Sequence, residues 1–359
     1  MRETAIIGIG QTKVSEHWER SIRDLAGEAI LAALQDTGRE DFNALFIGNM
    51  LSGLIDQQNN LGAVVADWIG FKGEAVKIES ACSSGAKMTD AAPTDVTSAL
   101  ATAADSDWEL EQGVSFVGLN ALIMRRYMHE YGWKHEDFAP FSLNSHANAA
   151  HNPNARLPFA ISKKQYTNSA MIAAPINLMD ASPTGDGAAA ALIVPLDSVR
   201  GDKRAVHIAG SGAATDTISV HSRKTPLFLQ AAYLSAQRAY AQAGITPEDV
   251  DFFELHDAFS IMAALSLEAC GFAEQGRGPR LGLDNEIKLK GGRIPICTRG
   301  GLKARGHPVG ATGMYQIVES IQQLRGECGE TQVDNAKIGM AQNIGGSGAS
   351  IITHIFTIN

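Results

Sequence analysis

Two histidines in the chain stand in short segments whose composition is unusual for a helix surface or a strand face. The segment 300–313, GGLKARGHPVGATG, places His307 beside Gly306 and contains five glycines. Glycines let a backbone pass close to a ligand or to another part of the chain, so this histidine lies on a tightly specified loop. His256 lies in FFELHDAFSI (252–261), where an apolar strand pattern changes into a helical one. Strand ends are a usual place for functional groups in α/β folds, although a helix N-terminal histidine next to a capping Asp257 fits the same pattern.

A cysteine occupies a similar junction. In AVKIESACSSGAK (75–87), Cys82 follows an alternating apolar strand and precedes a run of small residues. A helix N-terminus at this point would lower the pKa of the thiol and favour the thiolate, which is the nucleophile in covalent catalysis. A small buried cysteine is the alternative interpretation.

A fourth segment supplies the remaining element of an acyl-transfer site. GMAQNIGGSGASIITHIF (339–356) has a glycine-rich turn between two strands, and such turns expose backbone N–H groups that can hold an oxyanion. One cysteine and two histidines on three strand-end loops therefore form a candidate nucleophile-and-base set.

Composition restricts the class of protein. The chain has 359 residues, is 45% hydrophobic and carries a formal net charge of −9, without a run of basic residues that would favour nucleic acid. No stretch of about 18 consecutive apolar residues predicts a membrane span, and the first residues lack the pattern of a signal peptide. The four cysteines form no CxxC pair, so we expect neither a zinc site nor a disulfide framework, and we expect a cytoplasmic protein.

The chain repeats its own layout. Residues 24–50 and 233–259 each show an alanine-rich helical period, a helix-ending glycine, an acidic turn and an apolar strand. Two halves, 1–203 and 204–359, are therefore predicted, in a layered α/β arrangement with helices covering sheets. Chance similarity between two alanine-rich helices is the alternative.

Taken in order along the chain, these segments resemble those of the thiolase superfamily, in its archaeal and sterol-carrier-protein-type branch. The matching segments are ESACSSG, SPTGDGAAAALIVP, LHDAF, GGLKARGHPVGATG and NIGGSG, and they span nearly the whole chain. The resemblance implies a five-layered αβαβα fold built from two duplicated halves. It also implies that Cys82 accepts an acyl group, that His307 activates the thiol, and that His256 acts beside them.

The sequence departs from the pattern of this family at three places. CSSGA runs straight into KMTD, so about two dozen residues of a helix-strand unit are missing, unless residues 94–112 replace that unit. The positions where thiolases carry a second cysteine hold Ala258 and Asn343, which leaves the second acid/base unassigned. Cys297 replaces a polar residue and is a candidate substitute thiol, with a packed, inert cysteine as the alternative.

The function that the resemblance implies is the formation or cleavage of a 3-oxoacyl-CoA through a cysteine acyl-enzyme. Backbone N–H groups at Cys82 and the Gly345–Gly346 turn, with Asn343 beside them, would support the oxyanion. Coenzyme A thioesters are then the substrates, and no metal or redox cofactor is implied. The expected partners are a second copy of the chain, an OB-fold/zinc-ribbon protein and hydroxymethylglutaryl-CoA synthase. The alternatives are a weak or silent acyl-CoA-binding scaffold subunit and acyl transfer to an acceptor other than CoA.

Overall fold

The computed structural model describes residues 2–81 and 92–358. The first described stretch alternates strands and helices: β1 (Thr4–Gln11), α1 (Ile22–Thr37), β2 (Ala44–Gly48), α2 (Leu61–Trp68) and β3 (Glu74–Ile78). A mainly helical region follows, with two short strands and then a longer one: α3 (Pro93–Ala101), α4 (Phe116–Tyr131), α5 (Ala139–Ala149), α6 (Lys163–Thr167), β4 (Met171–Ala173), β5 (Ile176–Asn177) and β6 (Ala189–Pro195).

The remaining elements repeat the alternation of strand and helix. They are β7 (Val206–Thr215), α7 (Gln230–Ala243), β8 (Phe252–Glu254), α8 (Ser260–Ala269), α9 (Gly278–Leu283), α10 (Thr312–Leu324), β9 (Ile338–Gly345) and β10 (Ser350–Thr357). No helix among the described residues is long and apolar enough to cross a membrane.

Six strands lie in the order β6-β1-β7-β10-β9-β8. β1 and β6 run antiparallel, in a register from Thr4 opposite Pro195 to Gln11 opposite Ala189. β1 meets β7 at only two paired positions, so the first-half strands join the second-half strands along a short seam. In the second half, β10 pairs antiparallel with both β7 and β9, and β8 runs parallel beside β9.

Helices cover both groups of strands and separate them. α1 packs on β1 and β6, and α7 packs on β7 and β10. α10 contacts β6 and β1 of the first half and β9, β8 and β10 of the second, so it lies between the two groups of strands. The order of layers is helix, strands, α10, strands, helix, which is the αβαβα arrangement expected from the resemblance.

The internal repeat is visible in the way each outer helix packs on its first strand. A side chain on Gly8 or Gly10 of β1 would collide with carbonyl oxygens of α1, and one on Gly210 or Gly212 of β7 with those of α7. Both helices end at the predicted glycines in the left-handed conformation, with φ +66° at Gly38 and +69° at Gly244. Matching positions in the two halves therefore pack in the same way, as expected for a duplicated strand–helix unit.

The repeat also shows which strand the first half lacks. If β1 corresponds to β7, β6 to β10 and β2 to β8, then β9 has no counterpart among the described residues of the first half. That counterpart would lie between β6 and β2. Within 2–81 and 92–358, β2 instead pairs only with β3, in a separate parallel pair, and β6 pairs only with β1.

A cavity of about 750 Å³ occupies the place of the missing strand, between β2 and β6. We call it the β2–β6 cavity. Its lining includes the exposed residues Arg39 and Asp41, so the cavity opens to solvent.

Residues 94–112 do not rebuild the lost unit. They form most of α3 and a π-helical turn at Ser106–Leu110, and no described residue in this range belongs to a strand. Ala99 of α3 packs with Leu51 and Val309, near the loop that carries His307. The alternative that this segment replaces the missing strand is therefore wrong for the described residues. The helix N-terminus that the sequence suggests at Cys82 lies outside the described residues.

Candidate functional site

His256 lies where β8 ends, as the sequence predicts. β8 is a short, fully buried strand beside β9, and the chain continues through His256 and Asp257 to the start of α8. The histidine side chain is only 2% exposed. Its Nδ1 lies 3.1 Å from Nδ2 of Asn343, which belongs to β9. Parallel pairing of β8 and β9 thus brings these two residues together.

His307 lies on the glycine-rich loop between a π-helical turn, Gly301–Arg305, and the start of α10. Its backbone N–H donates to the carbonyl of Pro183 at 2.9 Å, which ties the loop to the segment before β6. Its Nδ1 lies 2.7 Å from the hydroxyl oxygen of Thr312, the first residue of α10. A side chain on Gly306, whose φ is +108°, would lie 2.6 Å from Val14, so this position requires glycine.

The two histidine rings meet edge to face. Their centroids are 5.2 Å apart, with an interplanar angle of 88°. The sequence predicts a strand-end loop for both histidines; the structure places His256 at the end of β8, but it places His307 between a π-helical turn and α10. The two loops nevertheless meet in one site. Such a pair can polarise one carbonyl from two sides or move a proton between a nucleophile and a leaving group.

A chain of amides determines which nitrogen of His256 carries the proton. Nε2 of Gln316 donates to the backbone carbonyls of Glu254 and Gln342, each at 3.0 Å. Its Oε1 is therefore an acceptor, and it accepts from Nδ2 of Asn343 at 2.7 Å. The same Asn343 amine must donate to Nδ1 of His256, so the neutral imidazole has its proton on Nε2.

Both histidines are neutral at physiological pH. Burial and the neighbouring positive charge of Arg305 lower the pKa of His307 to about 3. Burial lowers the pKa of His256 well below its ordinary value, and His307 and Arg305 lower it further. A neutral His307 can accept a proton, and a neutral His256 can donate a hydrogen bond from Nε2 to a carbonyl oxygen.

Buried charges support the His307 loop. Arg305 and Glu319 of α10 form an ion pair at 3.1 Å, and both side chains are fully buried. Arg305 also donates to the carbonyl of Gly306 at 2.8 Å and lies over the ring of Tyr315, with its guanidinium carbon 4.8 Å from the ring centroid. Together these contacts fix the backbone directly before His307.

Cys82 lies outside the described residues, but the residues before it lie beside the Gly345–Gly346 turn. A side chain on Gly345 would lie 3.0 Å from the carbonyl oxygen of Ser80 and 3.3 Å from Cβ of Ala81. Ala81 has φ +47°, in the left-handed region that favours glycine. Gly346 has φ +63°, and a side chain there would lie 2.5 Å from the carbonyl oxygen of Ala103. The strand before Cys82 and the Gly345–Gly346 turn are therefore neighbours.

Cys297 is held away from solvent in a packed position. It is fully buried, has φ +50°, and its Sγ lies 3.9 Å from the carbonyl oxygen of Leu255. Burial and then the negative charge of Asp257 raise the pKa of this thiol well above its ordinary value. Such a thiol resists becoming a thiolate, which favours the packed, inert alternative over the substitute acid/base.

Gln316 and Thr312 are site residues that the sequence analysis missed. Both lie in the first turns of α10 and bond to Asn343 and His307, respectively. Their spacing of four places them on one helix face, directly after the His307 loop. That spacing is the signal that could have identified them.

The comparisons with known proteins agree with this geometry. Residues 212–358 match the family model described as thiolase C-terminal domain-like. The acetyl-CoA acetyltransferase of Methanothermobacter thermautotrophicus is 41% identical over 385 residues, covering 99% of this chain and 100% of the relative. That of Methanocaldococcus jannaschii is 35% identical and covers 99% of both chains. Among solved structures, the Ltp2-ChsH2(DUF35) aldolase superposes with a TM-score of 0.85 at 23% identity, over 99% of this chain and 98% of that one.

The chain belongs to the thiolase superfamily. The alignment with the Methanothermobacter relative has 385 positions against the 359 residues of this chain, so at least 26 positions are gaps in the chain. This agrees in size with the unit that the sequence lacks after CSSGA.

Proposed function

We propose that this protein is a thiolase-type acyltransferase that forms or cleaves a 3-oxoacyl-CoA through an acyl-enzyme on Cys82. The observation that carries the proposal is the contact of His256 and His307, with ring centroids 5.2 Å apart at the ends of two different loops. Relatives that match over the full chain, at 41% and 35% identity, are acetyl-CoA acetyltransferases, which supports acyl transfer between thioesters.

In the first half-reaction, neutral His307 accepts the proton of the Cys82 thiol. The thiolate attacks the carbonyl carbon of an acyl-CoA, and the oxygen becomes an oxyanion. Backbone N–H groups of Cys82 and of the Gly345–Gly346 turn hold that oxyanion. When the intermediate collapses, the bond to the CoA sulfur breaks, and the leaving thiolate takes the proton from His307.

In the second half-reaction, a second acyl-CoA places its thioester carbonyl at Nε2 of His256. That hydrogen bond stabilises the enolate formed when the α-proton leaves. Ala258 and Asn343 provide no thiol, so we assign the α-proton to His307, the titratable base whose ring contacts His256. The enolate carbon attacks the acyl-enzyme, the bond to Sγ of Cys82 breaks, the Cys82 thiolate takes the proton back from His307, and a 3-oxoacyl-CoA is released.

The assembly that we propose has two kinds of contact. A second copy of the chain pairs along β3, where Phe46, Val76 and Ile78 of the β2–β3 pair expose apolar side chains. An OB-fold/zinc-ribbon protein is the second partner. One solved neighbour is named as a complex with a DUF35 protein, which supports this choice. Hydroxymethylglutaryl-CoA synthase as a further partner and a cytoplasmic location remain predictions from the sequence.

A second candidate function is a weak or silent acyl-CoA-binding subunit. The absence of a β9 counterpart among the described residues, together with the β2–β6 cavity, favours this alternative, because the strand would adjoin the nucleophile segment. Acyl transfer to an acceptor other than CoA uses the same three side chains and differs only in the second substrate.

Intact-mass spectrometry after mixing the protein with acetyl-CoA tests the proposal. We expect one acetyl adduct in the parent protein, none in Cys82→Ala, and an unchanged adduct in Cys328→Ala, which removes another buried thiol. Absence of the adduct from the parent, or its survival in Cys82→Ala, would refute the acyl-enzyme and favour the silent subunit.

A further inference from the structure

The edge of β6 that faces the β2–β6 cavity carries unpaired backbone groups. Just beyond the β1–β6 pair, the N–H of Thr12 donates to the carbonyl of Ala188 at 2.9 Å. Hydrogen-bonded and non-hydrogen-bonded positions alternate along an antiparallel pair, so Ala189 and Ala191 direct their N–H and C=O groups away from β1. Both residues line the cavity, and no described residue bonds to these groups.

The facing edge of β2 is open in the same way. The N–H of Asn49 donates to the carbonyl of Ile78 at 3.2 Å, at the end of the parallel β2–β3 pair. Because alternate residues of a paired strand bond to its neighbour, Ala44, Phe46 and Gly48 direct their N–H and C=O groups away from β3. All three residues line the cavity. Two open strand edges therefore flank one space.

The second half of the chain shows what fills an equivalent space. There β9 lies between β10 and β8, antiparallel to the first and parallel to the second. The repeat matches β6 to β10 and β2 to β8, so one strand that is antiparallel to β6 and parallel to β2 would pair with both open edges. Its C-terminal end would lie beside Ala189, and its N-terminal end beside Arg39 and Asp41, which precede β2.

The apolar side chains around this space favour an apolar strand. Phe46 and Ile193, on the two flanking strands, line the cavity and are 62% and 52% exposed. Side chains of an inserted strand would alternate between its two faces. Leu25 and Ile30 of α1 line one side of the cavity, and Ile317 of α10 lines another. An occupant with apolar side chains on both faces would therefore cover apolar surface throughout.

The polar groups of the lining refine this choice. Its charged residues within the described part of the chain, Arg39 and Asp41, are exposed and precede β2, so charges suit the N-terminal end of the strand and not its middle. Asn43 and Asn49 supply amides at the two ends of β2. Nδ1 of His354, on β10, is buried without a hydrogen-bond partner among the described residues. A serine or threonine hydroxyl facing β10 would satisfy it.

We propose that the β2–β6 cavity accepts an extended, uncharged and mostly apolar segment of another protein, which adds as a strand antiparallel to β6 and parallel to β2. The segment has about seven residues, the length of β6. Main-chain hydrogen bonds supply the affinity, and the alternating side chains supply the specificity. Each described strand of this chain already pairs within its own molecule, so a second copy has no free strand to donate among 2–81 and 92–358.

Fluorescence anisotropy with two synthetic strands tests the site on the intact protein. One peptide has the sequence of residues 337–345, KIGMAQNIG, because β9 fills the equivalent space; the other alternates alanine and valine between terminal lysines. With a dye at the N-terminus, we expect micromolar binding of at least one peptide. Proline at the centre of that peptide removes an N–H and should weaken binding by about tenfold. Absence of binding by both peptides at about 1 mM, or equal binding of the proline version, would overturn the proposal.

Variants of the protein locate the binding. Ala191→Pro removes an N–H from the open edge without breaking a bond to β1, and Ala26→Phe fills the cavity from α1. Each should weaken peptide binding by about tenfold. Ala191→Ser keeps the N–H and is the matched control, with parental affinity. Thermal unfolding verifies that each variant folds. Parental affinity in both Ala191→Pro and Ala26→Phe, or in Ala26→Phe where Ala191→Pro does not fold, would refute the site.

The direction of the peptide distinguishes strand addition from unspecific apolar binding. In a Cys82→Ala background, the remaining thiols, Cys270, Cys297 and Cys328, are buried. Asp41→Cys in this background should form a disulfide with a peptide that carries cysteine at its N-terminal end, and at least about tenfold less with one that carries it at the C-terminal end. Equal yields would overturn the proposal. Because only binding is measured, the result is independent of whether Cys82 becomes acylated.

Discussion

Nδ2 of Asn343 donates to Oε1 of Gln316 at 2.7 Å, and this bond determines the protonation of a third side chain, His256. Gln316 cannot reverse its amide, because its Nε2 already donates to two backbone carbonyls. A helix residue with no reactive group therefore sets which imidazole nitrogen can polarise a substrate.

Gln316→Leu should remove this control. We expect kcat for thiolysis to fall by about tenfold with KM nearly unchanged, because the Nε2–H tautomer of His256 is no longer enforced. The two carbonyls lose their donor while buried, so the free energy of unfolding should drop by about 1–3 kcal/mol. Nitrogen-15 NMR of the histidine rings separates the two effects. A variant that keeps the parental Nδ1 and Nε2 signals of His256 would contradict the positioning role.

Acid should destabilise the fold through His307. The unfolded chain binds this proton with a pKa of about 6.5, whereas the folded chain binds it at about 3. Between these values the unfolded state holds more protons, so this contribution to stability is complete above about pH 6.5 and is lost as the pH falls towards 3. We expect His307→Gln to reduce the loss of unfolding free energy between pH 7 and pH 5.5 by about 1 kcal/mol. Urea titrations at the two pH values measure it, and identical losses in parent and variant would contradict the assignment.

Cys297→Ala should leave the acyl-transfer chemistry almost intact. The thiol is buried with a raised pKa, so we expect a thiolysis rate within about twofold of the parent, and a stability loss of about 1 kcal/mol from the lost packing. Cys328→Ala, at another buried thiol with a raised pKa, is the matched control. A fall of tenfold or more in rate in Cys297→Ala alone would instead identify Cys297 as the missing acid/base.

Restoring the missing helix-strand unit should make the protein more stable and its thiolysis faster. Insertion of the helix-strand unit of the Methanothermobacter relative, about two dozen residues between Ala86 and Lys87, should raise the melting temperature and the thiolysis rate, because it supplies the β9 counterpart. An insert of equal length rich in glycine and serine is the control. If the relative's unit changes neither quantity, the shortened chain has already compensated for its loss.

The sequence predicted those parts of the structure that local chemistry controls. Helix-ending glycines such as Gly38 and Gly244 are specified by a backbone conformation that other residues avoid, and they lie where expected. The duplication and the strand-end position of His256 follow from hydrophobic period and turn composition. The strand-end position expected for His307 is wrong, because His307 lies between a π-helical turn and α10. The contact between these two histidines could not be predicted from the sequence, because it depends on how β8 and the His307 loop meet in space.

Other features were hidden because their residue types usually have another role. Arg305 lies among glycines in a loop that sequence alone would leave in solvent, yet it is fully buried against Glu319. Gln316 has the appearance of an ordinary polar helix residue, and only its contact with Asn343 shows its role. The position of the missing strand could be assigned only after the order of the other strands was known.

The outer edge of β6 has a consequence for the colloidal behaviour of the protein. Residues 189–194 read AAALIV, an uncharged apolar run without proline, and among the described residues they pair on one side only. Such an edge is a template on which strands of other molecules can add, and at one end of the strand Arg2 and Asp197 form an ion pair. Whatever occupies the neighbouring cavity therefore also shields this edge, and the solubility of the protein at high concentration should rise and fall with that occupancy.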